Sequence, residues 1–336
     1  MKLCKGKTFL SCTQRGGKLL VVVEAKVPLK LTLFGEHAVV YNKPAIAMTI
    51  SESLTVRVSD NDKFVLVSPS LHVRGVKVDL NEMKVESDEA KKVLRYVIEV
   101  LNYFEMKKPA RIEIDSTVEP SVGLGTSAGV IVGTVSAYSK FLNIDLSKDE
   151  IAHISHEIEL RVQGIASRMD TYTETYGGLI YFPEGSNGYE IIRGNVSITS
   201  GYIRRSMTIA DVLWRVRRIR EYDRQLFDSI ISAIGELVDR AKLLIMEGGN
   251  EDELGLLMYV NHGLLFSLGI TSPEVDEIVS RARQLGIKGC KVSGGGAGGS
   301  IICIKSNEAE VLLKSYNAKI INTSPVNRGV TITVIN

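Results

Sequence analysis

PSVGLGTSAG, residues 120–129, sets glycines and small side chains directly ahead of a helical pattern, VIVGTVSAYSKFL at 130–142. Gly123 and Gly125 let backbone N–H groups turn inward without a β-carbon in the way, and the helix N-terminus that follows adds partial positive charge. A loop of this kind cradles phosphates. Standing alone, it reads equally well as a tight strand-to-helix turn whose small residues permit close packing. It is not the Walker loop, since no GxxxxGK[ST] occurs and GGKL at 16–19 has Leu where a Mg²⁺-binding hydroxyl should stand. The HRD and DFG signatures of protein kinases are absent too.

Upstream of the loop the chain is rich in strand signals. LLVVVEAKVPLKLTLFG at 19–35 is β-branched, then alternates around Lys30 and ends at a glycine, and AIAMTI, LTVRVS, KFVLVS and RIEID follow. Residues 88–103 have a helical period with Val93, Leu94, Val97, Val100 and Leu101 on one face. SKDEIAHISHEIELRVQG after the loop reads as another amphipathic helix, and both post-loop helices should pack on the sheet. Beyond GGLIYF at 177–182 the texture changes, with one helical stretch expected over 209–246 and another over 251–268. Ser272 and Pro273 read as an N-cap and first helical residue. A cluster, GGGAGG, then leads into the strand SIICIK. The expected organisation is a loose extension over 1–18, an N-terminal domain over 19–190 and a C-terminal domain over 191–336.

Composition excludes several classes. With 336 residues the chain exceeds what one core usually serves, and 44% hydrophobic, 24% charged residues and 8 Pro describe a globular protein rather than a disordered one. Lys and Arg number 41 against 39 Asp and Glu, which gives no electrostatic argument for nucleic acid or an anionic membrane. No apolar run approaches the ~18 residues of a membrane span, and the N-terminus lacks the unbroken apolar stretch of a secretory signal. Cys4, Cys12, Cys290 and Cys303 form no CxxC pair, so neither a disulfide framework nor a structural metal is expected, and a reducing cytoplasm is the default compartment.

Three motifs in order give the chain a resemblance to the GHMP kinases, the superfamily of galactokinase, homoserine kinase, mevalonate kinase and phosphomevalonate kinase. The glycine loop is similar to the family's GLGSSA, with Thr126 in place of the first Ser. KVPLKLTLFGEHAVVY at 26–41 is similar to its first motif, and KVSGGGAGGSIICI at 291–304 to its third, usually GAGGGG, with Gly295 and Ala297 departing from that order. The resemblance covers nearly the whole chain after residue 24. It implies an α+β, two-domain GHMP kinase fold: a ribosomal protein S5 domain 2-like N-terminal domain plus a ferredoxin-like C-terminal domain. It also implies ATP as co-substrate and Mg²⁺ as cofactor.

The same resemblance assigns residues. Pro120, Ser121, Val122, Gly123, Leu124, Gly125, Thr126, Ser127 and Ala128 would bind the ATP phosphates, and Gly294, Gly295, Gly296, Ala297 and Gly298 would brace that loop. Within EIELRVQGIASRMDTYTETYGG, Glu159 would hold Mg²⁺ with Ser127, and Asp170 would orient and deprotonate the acceptor hydroxyl, with Lys30 beside it. Phosphoryl transfer to an alcohol needs such parts: an aligned hydroxyl, charge neutralisation and a proton acceptor. By spacing alone, Glu159 reads as a solvated helix carboxylate beside Arg161 and Asp170 as a cap or turn residue. Lys30 stands out independently, because a lysine mid-strand in an apolar run is costly to bury without a carboxylate partner. A strand-edge lysine pointing to solvent is the competing reading.

The acceptor side is read from GEHAVVY, the form found in mevalonate kinases. Val39 and Val40 cannot hydrogen-bond a sugar, so a partly apolar acceptor is expected. By resemblance Glu36, His37 and Thr208 line its site; by residue type alone, a single His in a turn is more often a structural hydrogen bonder. ASRMD before the proposed base resembles archaeal-type mevalonate kinases better than the PSGxD of other members, which leaves Arg168 either at an anionic substrate group or paired on the surface. The arginines at 204, 205, 215, 217, 218, 220 and 224 read as a solvated helix face, the functional alternative being attraction of ATP and the mevalonate carboxylate. The expected small-molecule partners are mevalonate and ATP, with no nucleic acid, no membrane and, by family analogy, a homodimer. Another GHMP kinase such as phosphomevalonate kinase, or an inactive ligand-binding relative, stays open.

Overall fold

A computed structural model describes residues 21–68, 73–77, 88–119 and 122–335. The extension over 1–18 and the loop residues Pro120 and Ser121 lie outside the described residues. The chain opens with strands β1 (Val22–Phe34), β2 (Ala45–Asp60), β3 (Val65–Ser68) and β4 (Val73–Lys77), then helix α1 (Asp88–Tyr103) and strand β5 (Ala110–Ser116). Helices α2 (Thr126–Phe141), α3 (Lys148–Gln163) and α4 (Met169–Tyr176) lead to β6 (Leu179–Phe182) and β7 (Glu190–Ile191). Then come β8 (Ile198–Ile203), helices α5 (Ile209–Tyr222), α6 (Arg224–Met246), α7 (Glu251–Ser267) and α8 (Pro273–Gln284), and strands β9 (Cys290–Ser293) and β10 (Gly299–Ile304). Helix α9 (Asn307–Ser315), β11 (Lys319–Ile321) and β12 (Thr331–Ile335) complete it.

Two sheets result. The larger runs β12-β1-β2-β5-β3-β4, with β6 on β2 and β7 on β6; the smaller runs β11-β8-β10-β9, antiparallel throughout. Helices and two sheets combine in an α+β architecture, the class that the resemblance implies. The last strand crosses the boundary expected near residue 190, since β12 returns to pair with β1, Val22 opposite Ile335.

AIAMTI and LTVRVS, read as separate strands, belong to one strand, β2. Its first part pairs with β6 and its second with β5, so one long strand serves two neighbours on the same edge. The helical face of α1 is as the period requires, with Val93, Leu94, Val97, Val100 and Leu101 all buried. Helix α2 is buried on nearly every side, which its Gly, Ala, Ser and Val content allows: a β-carbon at Gly133 would come within 2.6 Å of Val56. That close approach of helix to sheet carries the α2 N-terminus to its place at the site.

Two expectations are corrected. The stretch over 209–246 is two helices, because the Asp223 carboxylate accepts a hydrogen bond from the Leu226 N–H at 2.9 Å and caps a new start. And Cys290 and Cys303 form a disulfide, where none was expected. Separated by 13 residues, they are brought directly opposite by the β9–β10 register, with Cα atoms 3.9 Å apart. Strand pairing, not local spacing, makes the bond possible.

Candidate active site

The glycine loop sits where the first motif, the third motif and α4 converge. Lys30 in β1 donates its backbone N–H to the Leu124 carbonyl at 3.0 Å, which fastens the loop to the central sheet. Gly125, with φ of 80°, is the left-handed N-cap of α2. From the other side, the Ser300 hydroxyl donates to the Val122 carbonyl at 2.7 Å, and a β-carbon at Gly294 would stand 2.9 Å from the Gly123 carbonyl. The third motif therefore touches the first turn of the loop directly. Gly294, Gly296, Ala297 and Gly298 all have positive φ, and Ala297 holds 62° with its N–H bonded to the Ile270 carbonyl at 2.7 Å. Thr126, buried, and Ser127 begin α2, with Ala128 packed behind.

Lys30 does not reach solvent. Its side chain is 3% exposed, and Nζ lies 2.7 Å from Asp170 Oδ1 and 3.0 Å from the Thr32 hydroxyl. Asp170, in the first turn of α4, keeps 29% of its side chain accessible, so one face of the pair is open while the ammonium is shut in. A carboxylate held by a buried ammonium, accessible on one side and adjacent to a phosphate-type loop, can take a proton from an incoming hydroxyl. One turn on, Glu174 is fully buried and burial, reinforced by the Asp170 charge, pushes its carboxyl well above the usual carboxylate range; Lys30 opposes that and Glu159 adds to it.

Ser127 and Glu159 meet around Tyr96. The phenol is raised first by burial, with the Ser127 hydroxyl and the Glu159 charge both acting on it. Gln163 Nε2 donates to Tyr96 Oη and to Glu159 Oε1, each at 3.0 Å. A hydroxyl and a buried carboxylate are hard oxygen donors, and Mg²⁺ takes one or two protein oxygens while phosphates and water complete its shell. The residues therefore fit the ion. Among the described residues no group of three or more His, Cys, Asp and Glu is arranged to hold a metal unaided.

On the acceptor side the arrangement is mixed. His37, half-buried with φ of 58°, donates from Nε2 to the Gly295 carbonyl at 3.2 Å, and burial lowers its pKa. Glu36 is 2% exposed and its carboxylate is held by Lys291 of β9, itself fully buried, so the pair joins the two sheets. Glu36 thus has a protein partner where the sequence reading gave it a substrate. Thr208 is exposed and caps α5, accepting from the Asp211 N–H at 3.2 Å and donating to Asp211 Oδ2 at 2.7 Å. Its hydroxyl is used locally. Arg168 donates to the Ser186 carbonyl.

Tyr96, Glu174 and Lys291 were given no role by the sequence reading, and Arg205 was read only as one of the arginine run. Most of the arginine run is exposed as expected, but Arg205 is half-buried against the loop. Its Nη2 lies 3.2 Å from where a β-carbon of Gly123 would be, and its Nε 3.2 Å from that of Gly299. Nothing in the pattern RRSMT marks the second arginine apart from the first.

Residues 90–178 match the GHMP kinases N terminal domain and residues 236–320 the GHMP kinases C terminal. A curated mevalonate kinase of Saccharolobus solfataricus is 75% identical over 94% of this chain and 100% of its own length. The chain belongs to the mevalonate kinase branch of the GHMP kinases. Another curated mevalonate kinase of this branch, from Pyrococcus abyssi, is 36% identical over 87% of this chain and 92% of its own. Among solved structures, the mevalonate kinase of Methanococcus jannaschii superposes with a TM-score of 0.74 at 32% identity, covering 94% of this chain and all of that one. As a GHMP kinase the chain is an ATP-dependent phosphotransferase acting on an alcohol. Among the described residues no helix is long and apolar enough to cross a membrane.

Proposed function

We propose that this chain transfers the γ-phosphate of ATP to the 5-hydroxyl of mevalonate, with Asp170 as the acceptor of the hydroxyl proton. The observation that carries the reading is the Lys30–Asp170 pair at 2.7 Å, half open to an acceptor and fastened through Lys30 to the loop of Gly123 and Gly125. As the hydroxyl oxygen bonds to the γ-phosphorus, the bond from that phosphorus to the β,γ-bridging oxygen breaks and ADP leaves; Asp170 takes the hydroxyl proton and the Lys30 ammonium balances the charge that gathers there. Backbone N–H groups of 122–128 and the N-terminus of α2 orient the phosphates. Ser127 and Glu159 would hold Mg²⁺, which neutralises charge on the phosphate oxygens. His37 keeps the GEH turn against the third motif, and the apolar Val39 and Val40 suit an acceptor with few hydroxyls.

A coupled ADP-release assay across mevalonate, phosphomevalonate, homoserine and galactose tests the proposal. Release with mevalonate supports it; turnover on homoserine or galactose alone overturns it. The homodimer and the cytoplasmic setting expected from the sequence belong to the same proposal, and the dimer is checked by the molecular mass in solution.

A further inference from the structure

We propose that Glu174 is a positioning residue of the phosphoryl-transfer site, its buried carboxyl wedged between Lys30 and the Gly125 turn so that it fixes both the ammonium and the phosphate loop. This rests on the reading of Lys30, Asp170 and the loop given above. Glu174 stands four residues after Asp170 in α4, on the same helical face one turn further on. It is 0% exposed, and neither carboxyl oxygen has a hydrogen-bond partner among the described residues. Such a group is expensive to bury, so a chain that keeps it there needs a reason.

The neighbours supply one. A β-carbon added at Gly125 would stand 2.2 Å from Glu174 Oε1 and 3.1 Å from both Cγ and Cε of Lys30. One added at Gly129, a turn along α2, would be 3.5 Å from Oε2. The carboxyl thus fills the space that the absent side chain of Gly125 leaves, a space that the Lys30 stem also borders. Asp170 and Lys30 hold each other at the open end; Glu174 backs them at the closed end.

Its protonation state follows from what faces it. Lys30 of β1 is the cation, already engaged by Asp170; Asp170 of its own helix and Glu159 of α3 are acids; α2 presents the backbone of Gly125 and Gly129. Held neutral, Glu174 adds no negative charge beside incoming phosphates and leaves Asp170 the sole carboxylate partner of Lys30 among the described residues. Ionised, it would compete with Asp170 for the ammonium and repel the nucleotide.

The test compares Glu174→Ala and Glu174→Gln in the full chain, with ATP and mevalonate. Removing the wedge should lower kcat at least ~10-fold and raise KM for ATP; the amide, similar in shape and permanently neutral, should recover at least ~5-fold of the lost kcat. The wild-type kcat should also fall on an alkaline limb that Glu174→Gln lacks. Should Glu174→Ala fail to fold, the pH profiles of wild type and Glu174→Gln decide alone. Equal kcat and KM in wild type and Glu174→Ala, a Gln variant no better than Ala, or identical pH profiles would overturn the proposal. A wild-type enzyme inactive on mevalonate would instead sink the reading of the site, a distinct result.

Discussion

The Lys291 ammonium is buried against the Glu36 carboxylate, with side chains 0% and 1% exposed, and this pair ties the small sheet to the turn that follows the first strand of the large one. Burial pulls the Lys291 pKa down and the Glu36 charge pulls it back. Removing one member leaves the other charged and unpaired in the interior, which costs about 3–5 kcal/mol. Lys291→Met should therefore lower unfolding free energy by that much in denaturant titration, whereas the double variant Lys291→Met with Glu36→Gln should recover part of it. A single variant as stable as wild type would show that the pair holds nothing together.

Asp170→Asn should keep the fold and nucleotide binding while kcat drops at least ~10²-fold, the usual range for losing a positioned acid or base. The Lys30 ammonium can still meet the amide oxygen, so the loss isolates proton transfer from packing. Near-normal turnover would remove Asp170 from the chemistry.

Gly125 cannot carry a side chain. Its φ of 80° alone costs an L-residue about 1–2 kcal/mol, and the Glu174 oxygen occupies the β-carbon position. Gly125→Ala should abolish ATP binding measured by calorimetry. Retained affinity would mean that the loop does not hold the nucleotide in this conformation.

This position also shows what the sequence could and could not reveal. The glycine was legible because a loop that presents its N–H groups needs positive φ, and Lys30 was legible because an apolar strand rarely tolerates an ammonium. Asp170 came only through the resemblance, since spacing alone made it a cap. Glu174 had no signal: TETY looks like a polar surface turn until the helix is docked face-down on the loop. Lys291 was quoted in the third motif, yet its partner is 255 residues away. The disulfide was missed for the same reason, because register between β9 and β10 is a tertiary fact.

His37 gives a pH dependence with a definite sign. Burial holds the imidazole below its ordinary value of 6.5, so the unfolded chain takes up a proton before the folded one does. Stability from the neutral ring is complete above pH 6.5 and drains away as pH falls from there through the lower folded value. His156, lowered by burial and then by the charges of Arg168 and His153, adds in the same direction. Asn tolerates the left-handed backbone at position 37. His37→Asn should thus show a shallower loss of Tm than wild type as pH falls below 6.5. Parallel curves would reject the assignment.

Substrate choice turns on charge at the acceptor side. Mevalonate brings one carboxylate, whereas phosphomevalonate adds a phosphate with up to two further negative charges, which a buried site must match with cations. The cations named there already have oxygen partners: Lys30 is with Asp170, Lys291 with Glu36, and Arg168 with the Ser186 carbonyl. Arg205 lies against Gly123 and Gly299, on the phosphate-loop side. The apolar Val39 and Val40 offer a second charge nothing. We therefore expect kcat/KM for mevalonate at least ~100-fold above that for phosphomevalonate, the ratio that follows when about 2.7 kcal/mol of charge mismatch is left uncompensated. Both acceptors should be measured side by side at saturating Mg²⁺ and ATP. Equal or reversed specificity would mean that Arg205, or the exposed arginines of α5, form a phosphate site on the acceptor side; Arg205→Gln would then lower turnover of phosphomevalonate more than that of mevalonate.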